Sequence, residues 1–145
     1  MARAEASIEI EAPVDEVFVK AASPDTGPVF IPNLNENFDI TPERNEVGQH
    51  WGWRYNLFGV DIRGTARVIT FDPNREYVLE TDGDARSRWT YRFESLGSST
   101  RVQLLIDYEM PTGKLAKISA PVAERMNQQA CEQAMTNLKA WIEPE

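Results

Sequence analysis

Large apolar and polar side chains alternate along residues 50–57. Trp51, Trp53, Tyr55 and Leu57 fall on one side, and His50, Gly52, Arg54 and Asn56 on the other. A period of two marks a half-buried β-strand. The next run keeps the period, but its inner side is Val60, Ile62, Gly64, Ala66 and Val68, small in the middle. A bulky strand beside one with a small centre predicts a curved sheet face with open space over Gly64 and Ala66, since neither residue fills the volume in front of it. The same signal predicts strands over 76–81, over 87–96 with Trp89, Tyr91 and Phe93 inside, and over 100–110 with Val102, Leu104, Ile106 and Tyr108 inside. Turn residues separate them at Phe58-Gly59, Asp72-Pro73-Asn74, Asp82-Gly83-Asp84 and Gly97-Ser98-Ser99.

Toward the N-terminus, residues 7–11 form a short strand with Ile8 and Ile10 on one side. Pro13 suits a first helical turn, Asp15 and Glu16 suit the helix dipole there, and Val14, Val17, Phe18 and Ala21 make one apolar stripe. Ser23-Pro24 ends that helix. Residues 24–37 hold Pro24, Pro28, Pro32 and Gly27 and read as irregular, with one helical turn at 29–31. Phe30, Ile31 and Leu34 make this segment a candidate lid. A strand is expected over 38–43 and a turn over 45–48. Pro111-Thr112-Gly113 breaks the last strand, and a helix runs on to Ile142, starting or bending at Pro121. Its apolar residues include Leu115, Ile118, Val122, Met126, Ala130, Cys131, Ala134, Met135, Leu138 and Trp141. Strands gathered before a final helix predict an α+β fold, and residues 1–145 are taken as a single domain.

Charge narrows the partners. The formal net charge is −8, which argues against non-specific binding of nucleic acid or an anionic membrane surface. The one cysteine, Cys131, excludes an internal disulfide and fits a reducing compartment. The opening Met1-Ala2-Arg3-Ala4-Glu5 lacks the apolar core of a signal peptide, and no apolar run approaches the ~20 residues that span a bilayer. A cytoplasmic protein without stable membrane insertion is expected.

In order and spacing, several segments resemble the START-related helix-grip superfamily, SRPBCC, and its polyketide cyclase/dehydrase and plant pathogenesis-related branches. They are Ile10-Glu11-Ala12-Pro13 with Val17-Phe18, Val47-Gly48, Asp72-Pro73, Trp89-Thr90-Tyr91-Arg92-Phe93, Ser99-Thr100-Arg101-Val102, Tyr108-Glu109-Met110-Pro111 and Leu138-Lys139-Ala140-Trp141-Ile142-Glu143. Nearly the whole chain is covered. The resemblance implies a helix-grip fold, in which a curved antiparallel sheet of about seven strands wraps the long C-terminal helix around an apolar cavity. It does not choose a chemistry, since members bind lipids, sterols, quinones and polyketides, some catalyse ring closure or dehydration, and others assist chaperones.

The residues themselves point to binding. His50, the only histidine, lies opposite Trp51 and Trp53 and is expected to face water. One His and one Cys far apart give no zinc site, no Gly-x-Ser-x-Gly elbow is present, and no Gly-rich phosphate loop occurs, so no metal and no cofactor is expected. Glu9, Glu11, Glu80, Glu94, Asp107 and Glu109 share the outer side with Arg63, Arg67, Arg88, Arg92 and Arg101, where opposite charges can pair across strands. The inner side supplies the candidate ligand-binding set: Trp51, Trp53, Tyr55, Ile62, Gly64, Ala66, Val68, Trp89, Tyr91, Phe93, Leu104, Ile106 and Tyr108, with Met126 and Ala130 from the helix and Phe30 from the candidate lid. The favoured reading is binding or carriage of a small, largely apolar molecule such as a lipid, quinone or aromatic polyketide. The alternative is an aromatase/cyclase or dehydratase in which Tyr55, Tyr91 and Tyr108 polarise carbonyls or relay protons. Because no acid or base alternates inward on the central strands, the balance falls toward the carrier. A protein partner is possible, but no exposed apolar patch supports one.

Overall fold

A computed structural model describes residues 2–41, 46–57, 59–109 and 113–143, apart from the side chain of Lys114. Seven strands form one antiparallel sheet in the order β1-β7-β6-β5-β4-β3-β2. They are β1 (Ala2–Ile10), β2 (Leu34–Phe38), β3 (His50–Leu57), β4 (Val60–Asp72), β5 (Glu76–Gly83), β6 (Ser87–Ser95) and β7 (Thr100–Tyr108). Helix α1 (Val14–Ala21) and the single turn α2 (Gly27–Phe30) follow β1, and α3 (Ala120–Ile142) closes the chain. The expected α+β order is therefore present, and the sheet curves around α3.

Three expectations change in detail. The first strand starts at Ala2 rather than at residue 7. Ala2, Ala4 and Ala6 keep the period of two, but methyl groups give a weak hydrophobic signal; what makes residues 2–6 a strand is pairing with β7, from Ala2 opposite Tyr108 to Ala6 opposite Leu104. β2 lies at Leu34–Phe38, inside the stretch read as irregular, because β3 offers it an edge. It ends where Asp39 takes a left-handed φ of 52°. α3 begins at Ala120 with Pro121 in its first turn, where the missing N–H is harmless, so the proline starts the helix and does not bend it. Residues 42–45, Phe58 and Met110-Pro111-Thr112 lie outside the described residues. These include the end of the strand expected over 38–43 and parts of the turns at 45–48, Phe58-Gly59 and 111–113.

The charges expected on the outer face do pair across strands. Arg3 meets Asp107 at 2.7 Å, Arg88 meets Glu80 at 2.7 Å, Arg92 meets Glu76 at 3.3 Å and Arg101 meets Glu94 at 3.5 Å. Each pair sits directly opposite in the strand register. Exposed pairs of this kind contribute little, because water and salt screen them. Between these rows lie Val78, Thr90 and Leu105, buried on the outer face.

Helix α3 runs alongside β1 in the same direction and satisfies the edge of the sheet. The Gln128 amide accepts from the Glu5 N–H (3.2 Å) and donates to the Glu5 carbonyl (2.8 Å). Lys139 donates to the Glu9 carbonyl at 2.8 Å, and Glu143 accepts from the Glu11 N–H at 2.6 Å. An edge strand whose backbone groups are bonded by side chains offers no template for further pairing.

Candidate functional site: a cavity between sheet and helix

The interior under the sheet has a solid end and a hollow end. At the solid end Phe18 of α1 packs edge-on against Phe71 (5.2 Å between centroids) and Phe93 (5.0 Å), and Tyr77 meets Phe71 at 5.8 Å. Tyr91 sits at the boundary, stacked on Phe93 at 6.5 Å and tilted against Tyr77 at 5.8 Å. Beyond it lies a cavity of about 160 Å³.

Strand β3 supplies Trp51, Trp53, Tyr55 and Leu57 to the wall; β4 supplies Ile62 and Ala66. Trp89 and Tyr91 come from β6, and Ile106 and Tyr108 from β7. The period of two places each of these on the concave side. Seven residues expected in the site lie elsewhere. Val68, Phe93 and Leu104 belong to the solid end, where Val68 and Leu104 are fully buried. Phe30 is buried against Trp141, its ring stacked at 6.4 Å, so it packs α2 onto α3 rather than gating the cavity. Met126 and Ala130 are half-buried on α3 but off its inward line. At 100° per residue that line runs through Ala123, Asn127, Cys131, Ala134, Leu138 and Ile142, and Asn127 is the helix residue that reaches the wall.

Gly64 is the seventh, and its case reverses the sequence expectation. A Cβ built there would run into the backbone carbonyl of Asp82 and the indole of Trp53. The space in front of Gly64 is already taken by its cross-strand partner Trp53 and by the close approach of β5 at Gly83, whose φ is 112°. Only Ala66 leaves room that the cavity uses.

Other wall residues were not anticipated as contacts. Leu79 and Thr81 extend an alternation with Tyr77 along β5 that was readable in the sequence. Ala85, Arg86 and Ser87 come from the β5–β6 connection and the start of β6, Asn37 from β2 and Glu109 from the end of β7, whereas Ile31 and Leu34, two of the three candidate-lid residues, do line the wall. A contact made by loop closure leaves no periodic trace.

Most polar groups in the wall are occupied. The Trp53 indole donates to the Thr65 carbonyl at 3.0 Å, and the Trp89 indole donates to Ser87 Oγ at 3.0 Å, which in turn lies 2.6 Å from Thr81 Oγ1. The Tyr55 hydroxyl has Asn33 beside it, and that of Tyr108 has the side chain of Asn127, whose Nδ2 donates to the Ala123 carbonyl at 2.9 Å. Among the described wall hydroxyls, that of Tyr91 alone has neither a hydrogen bond nor such an amide side chain beside it. Burial, with Tyr77 and Cys131 close by, pushes the Tyr91 phenol well above its usual value of 10.0, so it is neutral. The buried wall atom without a partner among the described residues is Asn37 Oδ1, whose Nδ2 donates to the Pro24 carbonyl at 2.8 Å. The charged wall residues are Arg86 and Glu109, both at the exposed rim and 3.7 Å from each other, with Arg86 also 3.2 Å from Asp82.

His50 is exposed, with Nδ1 donating to the Gly48 carbonyl at 3.1 Å. No three His, Cys, Asp or Glu side chains gather as metal ligands among the described residues, and no helix among them is long and apolar enough to cross a membrane.

Residues 1–143 match the model of a family described as polyketide cyclase/dehydrase and lipid transport. Uncharacterized proteins from two strains of Mycobacterium tuberculosis are 32% identical over 108 residues, which cover 73% of this chain and 47% of theirs. The chain thus spans about half the length of the curated relatives it matches. A START superfamily protein from Mycobacterium smegmatis superposes with a TM-score of 0.80 at 13% identity, covering 97% of this chain and 96% of that one. The Zhui aromatase/cyclase from Streptomyces sp. R1128 does so with a TM-score of 0.76 at 17% identity, covering 97% and 93%. At such identities the likeness is one of fold, and it is the helix-grip fold.

Proposed function

Because the chain belongs to the polyketide cyclase/dehydrase and lipid transport family, we propose that its cavity binds and carries a small, largely apolar ligand in the cytoplasm. The observation that carries this reading is the apolar wall of Trp51, Trp53, Trp89 and aliphatic side chains, with its two charges confined to the rim. Burial of apolar ligand area at about 25 cal/mol per Å² drives affinity, reduced by the cost of ordering the ligand. Residues 1–145 act as one START-like unit in this reading. Native mass spectrometry of freshly purified protein tests it: a retained small molecule supports carriage. Failure to take up any apolar probe would overturn it.

An aromatase/cyclase or dehydratase role is the second reading, favoured by the unoccupied hydroxyl of Tyr91. It is the weaker of the two on chemical grounds. A proton-transferring group works best with a pKa near the working pH, whereas burial raises Tyr55, Tyr91 and Tyr108 above the ordinary phenol value. Turnover of a poly-ketone that disappears in Tyr91→Phe would decide for the enzyme.

A further inference from the structure

We propose that the ligand is a compact aromatic molecule of one ring or two fused rings, bearing one uncharged hydroxyl or carbonyl oxygen that docks on the Tyr91 hydroxyl. This deepens the carriage reading and rests on it. Four observations converge.

The first is size. At about 160 Å³ the cavity is close to the roughly 150 Å³ void that accepts benzene in an engineered protein core, and well below the roughly 300–1,000 Å³ of pockets for larger ligands. The second is that the hollow cannot lengthen inward. Phe18, Phe71 and Phe93 interlock behind Tyr91, so a long acyl chain meets a filled core. Third, three indoles and the Tyr91 ring line so small a space that a planar π-system can meet them edge-on or offset-stacked, which a flexible chain cannot do.

The fourth is the placing of polar groups. Thr81 and Ser87 are bonded to each other, and Tyr55 and Tyr108 have Asn33 and Asn127 beside them, while the Tyr91 hydroxyl is unmet at the inner end. A neutral phenol both donates and accepts, so it matches a ligand hydroxyl or carbonyl equally. A carboxylate would also accept from it, but its charge counts against it. The nearest wall cation, Arg86, is at the rim and engaged with Asp82 and Glu109, and an ion buried without a counter-charge is strongly disfavoured. The ligand therefore enters oxygen first, with its apolar edge toward the rim.

Equilibrium dialysis of the full chain against 2-naphthol, naphthalene and palmitate tests this. Wild-type protein is expected to bind 2-naphthol about five- to tenfold more tightly than naphthalene, the range of one net hydrogen bond. Tyr91→Phe should erase that difference, and palmitate should bind at least about tenfold more weakly than 2-naphthol. Palmitate binding as tight as 2-naphthol would overturn the compact-ring assignment. Equal affinity for naphthalene and 2-naphthol, or a preference that survives Tyr91→Phe, would overturn docking at Tyr91. The wild-type ratio alone decides the point if the variant does not fold. Naphthalene binding in any of these failures leaves the carriage reading standing; if none of the three probes binds, both readings fall.

Discussion

The Trp53 indole covers Gly64, its partner across β3 and β4, and donates to the carbonyl of the next residue, Thr65, at 3.0 Å. The glycine is small because the tryptophan and the Asp82 carbonyl occupy the place of its side chain. Gly64→Ala is therefore expected to destabilise the protein by about 1–3 kcal/mol, the range for overpacking, and Gly64→Leu by more. Thermal melts read this directly. A Gly64→Leu variant as stable as the wild type would show that the strands can part there.

Ala66 is the small residue that the cavity does use. Ala66→Leu should lower uptake of an apolar dye by about tenfold or more, equivalent to about 1.4 kcal/mol, with a smaller loss of stability than Gly64→Ala. Unchanged dye uptake in a folded Ala66→Leu protein would place the bound dye elsewhere.

The tyrosines should separate in the ligand-free protein. Tyr108→Phe removes a hydroxyl with the Asn127 amide beside it and is expected to cost about 0.5–1.5 kcal/mol. Tyr91→Phe removes a hydroxyl with no partner among the described residues and should be neutral or stabilising. Chemical denaturation of the two variants compares them on one scale.

Gln128 holds the edge of β1 by both backbone groups of Glu5. Gln128→Ala is expected to cost about 1–2 kcal/mol and to speed hydrogen exchange at the Glu5 amide while central strands keep their protection. Loss of protection across the whole sheet would mean that this contact is required for global folding.

Alkaline pH should weaken the fold through Cys131. Burial pushes its thiol up to about 12 from an ordinary 9.0. A group raised in the folded state keeps its proton there after the unfolded chain has lost its own. Its stabilisation is thus complete below about pH 9 and is lost as pH rises toward 12. Tyr91 acts in the same direction above pH 10. Denaturation midpoints should fall across this window and fall less in Cys131→Ala, and the thiol should resist alkylation in the folded state.

Much of this architecture was written in local patterns. The alternation in β3, β6 and β7 placed Trp51, Tyr55, Trp89, Tyr91 and Tyr108 on one concave face, and the helical stripe of α3 placed Cys131, Ala134 and Leu138 against it. Periodicity reports which side of an element a residue faces. It does not report how far along the element the interior is filled, so Val68, Phe93 and Leu104 looked equivalent to the wall residues although Phe18 and its neighbours close that end.

Sequence by itself determined the α+β order, the inner face of the sheet and the charges that pair across its outer face, because each depends on side chains a few positions apart or on opposite strands in register. Tertiary structure decided where the hollow lies, that Trp53 fills the gap at Gly64, that Asn127 and not Met126 reaches the wall, and that β2 forms where polar residues suggested none. Those outcomes depend on which distant segments meet and how closely their backbones approach, and packing in three dimensions sets both.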